Sequence, residues 1–141
     1  MRPMKVKLQD VIDGIDMVSE DSTCYLDRET GEVLFISEIA DNDYDDDILE
    51  LLEEGSDRFI EFPSQWDRND YQTMVDFIES LPQRKEQNLL AISINGSGAF
   101  RRFKYTASEL GLLDDWYRFL NNAHRELAIE WCEDNEIEYE E

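Results

Sequence analysis

An excess of 22 negative charges in 141 residues is the strongest constraint on what this chain can become. Compaction crowds the carboxylates together, so a fold exists only if enough apolar surface is buried to offset their repulsion. The aromatic inventory supplies that surface: seven Phe, six Tyr and three Trp. Solvated acidic tails carry few such anchors, and a chain of this length is expected to form a single domain over residues 1–141. The same charge repels phosphate, which disfavours direct binding to duplex DNA. No apolar run has the length of a membrane span, and the opening MRPMKVKLQDVID has basic residues without the apolar core of a signal peptide. Cys24 and Cys132 stand far apart and outside any CxxC pair, which argues against a disulfide-stapled secreted scaffold. The expectation is a cytoplasmic protein with no membrane partner.

Hydrophobic spacing divides the chain. Leu8, Val11, Ile12, Ile15 and Val18 recur at helical intervals and predict an N-terminal helix, with Gly14 weakening it without changing its face. TCYLD and EVLFIS, joined by a turn ending in Gly31, predict a β-hairpin; RFIEFP predicts a third strand that Pro63 stops. Between them Ile48, Leu49, Leu51 and Leu52 predict a short helix capped by Gly55. From Ser64 or Asp67 onward the pattern is helical. One helix runs through Tyr71, Met74, Val75, Ile78 and Leu81 to Pro82, and a second over residues 84–94 is expected to bury Leu89, Leu90, Ile92 and Ile94. Phe100, Phe103, Ala107 and Leu110 mark a third. The last and longest carries Leu113, Trp116, Tyr117, Leu120, His124, Leu127 and Trp131 on one stripe, after which EIEYEE is expected to fray. The fold class is α+β: an N-terminal helix, a small three-stranded antiparallel sheet and a C-terminal helical half.

Charge is distributed unevenly. Residues 84–125 hold seven basic and four acidic side chains, net +3, which leaves −25 on the rest. Either the basic segment pairs internally with the acidic body, relieving self-repulsion, or its face stays open to an anionic ligand. GSGAFRRFK, residues 96–104, is the most suggestive stretch. Glycines before a helix let a ligand approach backbone N–H groups that the first turn leaves unpaired. Arg101 and Lys104 share a helical face, Arg102 sits on the neighbouring one, and Phe100 and Phe103 would clamp the helix to the core. The candidate anion site is therefore Gly96, Gly98, Arg101, Arg102 and Lys104. The alternative is an ordinary helix–turn–helix connection, its glycines serving only helix ends. The pattern is neither a dinucleotide fingerprint nor a phosphate-binding Walker loop.

Other constellations fall short of chemistry. In DNDYDDD, Asp41, Asp43 and Asp45 match the first three ligands of an EF-hand, but Asp46 and Leu52 stand where its glycine and bidentate glutamate belong. The lone His124 and two separated cysteines make no zinc site, and Glu126 with Glu130 is a generic helix pair. No metal, cofactor or catalytic residue is assigned, and whether the protein is an enzyme stays open.

YLDRETGEV, RFIEFP, GSGAFRRFK and ELAIEWCEDNEIE, in this order, resemble the bacterial uncharacterised protein family 0158, over roughly residues 25–138. GAFRRFK is the most specific part. The family's last helix typically ends in Asn-Gly, whereas Asn135 here precedes Glu136. The resemblance implies a small cytosolic protein and supplies no activity. The residues favour a non-enzymatic binding or regulatory module with an anion-binding basic helical face, its partner an unknown anionic ligand or protein. The alternative is an acidic nucleic-acid mimic, or a docking protein for basic partners. A metal-assisted hydrolase built from scattered acids ranks third.

Overall fold

The computed structural model describes residues 5–39 and 44–141, so Asp41 and Asp43 of the acidic loop lie outside the described residues. The fold is α+β, and two compact units divide the chain: Met1–Arg68 with His124–Glu141, and Asn69–Ala123.

In the first unit, α1 (Leu8–Met17) buries Leu8, Val11, Ile12, Gly14 and Ile15, the face its spacing predicts. The sheet is antiparallel, with β2 (Ser22–Asp27) between β3 (Val33–Ser37) and β4 (Phe59–Glu61). The β2–β3 turn is built by Asp27: its carbonyl accepts from Gly31 N–H, its carboxylate from Glu29 N–H, and Gly31 adopts φ 78°. Arg58 donates Nε and Nη2 to the two Asp27 oxygens at 2.9 and 2.8 Å, tying the turn to β4. The acidic helix α2 (Asp46–Glu54) buries no residue and ends at left-handed Gly55. In the short α3 (Gln65–Arg68), Ser64 and Asp67 cap each other reciprocally.

The C-terminal segment does not fray. Glu138–Glu140 forms β5, which pairs in parallel with β1 (Lys5–Lys7), Lys5 opposite Glu138. Val6 and Ile137 are buried in the same core, and Lys5 meets Glu140 while Arg125 meets Glu141. A run this acidic and short gave no strand signal; it pairs because a buried neighbour anchors it and cations face its acids.

The second unit packs α4 (Asp70–Ser80), α5 (Arg84–Ser93), α6 (Ala99–Glu109) and residues 113–123 of α7 (Leu113–Asp134) around Met74, Phe77, Leu90, Phe103 and Trp116. Phe103 and Trp116 meet edge-on, with ring centroids 4.8 Å apart. Four expectations are corrected here. The predicted continuous helix after Pro63 breaks at Asn69, which takes φ 46° and accepts Gln72 N–H as the α4 cap. On α5 the inward residues are Leu90 and Ser93, followed by the buried cap residue Ile94, whereas Leu89 and Ile92 are exposed. Phe100 is likewise outside: α6 faces inward through Ala99, Phe103 and Ala107, at intervals of four, and Phe100 lies one position off that line. Tyr117 on α7 is also exposed.

Among the described residues no helix apart from α3 carries a basic residue in its last turn, and three have their terminal carbonyls met by donors from farther along the chain. Arg68 donates to Ile15 and Val18 carbonyls behind α1, Gln87 to Ile78 and Leu81 behind α4, and Arg102 to the end of α5.

Candidate functional site

The turn between α5 and α6 is held by polar contacts from three directions. Ser93 Oγ donates to Leu90 C=O at 2.6 Å, Tyr71 OH to Ile94 C=O at 3.2 Å, and Arg102 Nε to Ser93 C=O at 3.0 Å. The Arg102 guanidinium also donates to the carbonyls of Asn95 and Ser97. Both glycines of the turn have left-handed φ, 78° at Gly96 and 77° at Gly98. A Cβ on Gly98 would stand 3.1 Å from Arg102 Nη1, so that glycine both makes the bend and leaves room for the clamp.

This geometry separates the five residues of the candidate anion site. Gly96 and Gly98 shape the turn, and Arg102 is committed to its carbonyls. Arg101 and Lys104 point outward from α6 and are exposed. Neither has an ion-pair partner among the described residues, nor do Arg84 and Lys85 on α5; Arg118 is different, pairing with Asp115. No side chain caps the α6 N-terminus.

Beside Arg101 lies an open groove of about 500 Å³, lined by Leu89, Ile92, Tyr105 and Thr106. Ile92 and Tyr105 are each 68% exposed. Sequence periodicity assigned Leu89 and Ile92 to the core and so missed the groove. The signal was available: only Leu90 and Ile94 keep the i, i+4 interval that Ala99, Phe103 and Ala107 match on α6.

The first unit carries a larger hollow of about 650 Å³, where Glu61, Asp67, Glu130 and Asp134 surround Trp131. Trp131 Nε1 donates to Glu61 C=O at 3.1 Å, which holds the indole in place. Among the described residues no group of three or more His, Cys, Asp or Glu is arranged to hold a metal ion. His124 is 5% exposed and its Nδ1 meets the Asp16 carboxylate. Cys24 and Cys132 are free and buried, and burial pushes both thiols up to about 11. Among the described residues no helix is long and apolar enough to cross a membrane.

The chain matches the model of the uncharacterised protein family UPF0158 over residues 1–140. It is similar to the UPF0158 protein PA5073 of Pseudomonas aeruginosa, 32% identical over 139 residues that cover 98% of this chain and 88% of that protein. No solved structure matches it. A family model and a full-length relative agree, and the chain belongs to the uncharacterised protein family UPF0158.

Proposed function

We propose that this protein is a binding module whose α5–α6 face receives an anionic partner, with Arg101 and Lys104 as the contacting cations. Gly96 and Gly98 set the turn that presents them, and Arg102 holds that turn. One observation carries the reading: in a chain with 35 acidic side chains, the cations of this face have no carboxylate partner among the described residues. Surplus acid would pair with any cation whose position served only to relieve self-repulsion. The second unit is close to electrically balanced, with six basic and seven acidic side chains, whereas the first carries net −21. Within it, residues 84–109 hold five basic and two acidic side chains, net +3, so an anion approaching the α5–α6 face meets a locally positive surface, within a screening length of about 8 Å at physiological salt.

Thermal-shift measurements against inorganic phosphate, pyrophosphate, nucleotides and acidic peptides test this. A rise in melting temperature that weakens with salt, and is lost in Arg101→Ala and Lys104→Ala proteins of unchanged unliganded melting temperature, supports the site. The absence of any anion-dependent shift overturns it.

A second reading has its own support. The hollow around Trp131 is ringed by four carboxylates in the strongly acidic unit, a surface suited to a basic protein partner. Capture of basic, nucleic-acid-binding proteins that is lost at high salt is the result that favours it.

A further inference from the structure

We infer that the partner of the α5–α6 face is an acidic amphipathic helix seated in the groove between these two helices; this rests on the anion-binding reading above. A small anion would engage Arg101 and leave the neighbouring apolar surface in water. That surface is substantial: Leu89 and Ile92, three apart, form a stripe on α5, and Tyr105 faces the groove from α6. Each stripe is headed by a cation, Lys85 one turn before Leu89 and Arg101 one turn before Tyr105. Because α5 begins away from the connecting turn and α6 begins at it, Lys85 and Arg101 stand toward opposite ends of the pair. Among the described residues no carboxylate lines the groove. The complementary ligand has apolar side chains in its middle and acids at both flanks.

The choice between a helix and an extended segment follows from the backbone. Peptides bound as β-strands add to a sheet edge, and the described residues of the second unit contain no strand. Recognition here falls to side chains, and an apolar stripe at i, i+3, i+4 and i+7 is the geometry that fills a groove between two helices. The exposed apolar side chains supply the centre of such a contact, and the cations supply rim and orientation.

The test uses the full chain and a fluorescent peptide about four helical turns long, roughly 16 residues. It carries Leu at i, i+3, i+4 and i+7 with Glu on both flanks. One control replaces the leucines by Ser, another the glutamates by Lys. The acidic amphipathic peptide is expected to bind and both controls to fail. Ile92→Ser and Arg101→Glu are each expected to weaken it about tenfold or more, with unchanged circular dichroism because both positions are exposed. Equal binding of the Ser control, or no binding of the acidic amphipathic peptide, overturns the inference. If pyrophosphate still raises the melting temperature through Arg101 while the peptide fails, only the helix inference falls; if neither binds, both fall. Self-association abolished by Ile92→Ser and not competed by the peptide also overturns it, by naming a second copy as the occupant.

Discussion

The ring of Phe62 lies so close to Gly14 that a Cβ built there would stand 2.4 Å from its Cε2. Helix α1 thus needs glycine at its centre for packing rather than for backbone conformation. The same ring meets Trp131 at a centroid distance of 4.5 Å, so it has little room to retreat. Gly14→Ala gains about 1 kcal/mol of helix propensity yet is expected to destabilise the protein by about 1–3 kcal/mol through overpacking. Urea unfolding measures the sign directly. A second variant, Phe62→Leu in the Gly14→Ala background, is expected to recover part of the loss.

Neighbouring arginines on α6 should behave oppositely. Arg102→Ala removes the donor that meets the carbonyls of Ser93, Asn95 and Ser97, and a loss of about 1–3 kcal/mol is expected. Arg101→Ala, at an exposed position without an ion-pair partner, should lie within about 0.5 kcal/mol of the parent. Comparing denaturant midpoints of the two variants separates the structural arginine from the proposed ligand-facing one.

The Asp27–Arg58 pair predicts a pH dependence. Burial pushes the Asp27 pKa up, but the Arg58 hydrogen bonds and the Glu29 N–H outweigh it, and the carboxyl titrates below its ordinary value. Its stabilising contribution is complete above about pH 5, where an unfolded aspartate is ionised, and fades as pH falls through the lower folded-state value. Asp27→Asn should lower the melting temperature at pH 7, with the gap to the parent closing toward pH 2. A gap that persists undiminished in acid would rule out the charged pair as its cause.

Both cysteines should resist alkylation in the native protein. With the thiols pushed up to about 11 by burial, little thiolate exists near neutral pH and what exists is shielded. Iodoacetamide followed by mass spectrometry is expected to show no adduct at pH 8 until denaturant is added, and then two.

The end of α7 offers a stabilising change. Ile137 N–H reaches back to Cys132 C=O at 2.8 Å, which puts Glu136 in the left-handed conformation at φ 57°. Glu136→Gly should raise stability by up to about 1 kcal/mol, the left-handed strain less the entropy glycine gains on unfolding.

What the sequence made legible follows the strength of local signals. The α1 face, the hairpin turn at Gly31 and the Gly55 cap were readable because each rests on a few adjacent residues. The β1–β5 pairing was not, since its partners are more than 130 positions apart and Glu138 and Glu140 have low strand preference. At the candidate site, the cluster of cations and glycines was visible in GSGAFRRFK. The division of labour between Arg101 and Arg102 was not, because it depends on which side of α6 faces the turn. Assigning Leu89 and Ile92 to the core assumed that every apolar residue of α5 faces inward; the helix has one narrow inward stripe and leaves the others in solvent.

The pairing of β1 with β5 carries a consequence for synthesis. Residues 69–123 form a contiguous unit whose contacts are all within reach once that stretch has been made. The first unit is assembled from both sides of it, and Val6 finds Tyr139 only after more than 130 further residues have been translated. Closing so long a loop is slow and entropically costly, so the helical insert is expected to be structured while its host still waits for a final strand. During that interval the apolar face of α1 has no Trp131 or Cys132 to cover it, which makes the nascent N-terminal segment the part of this protein with most need of a chaperone.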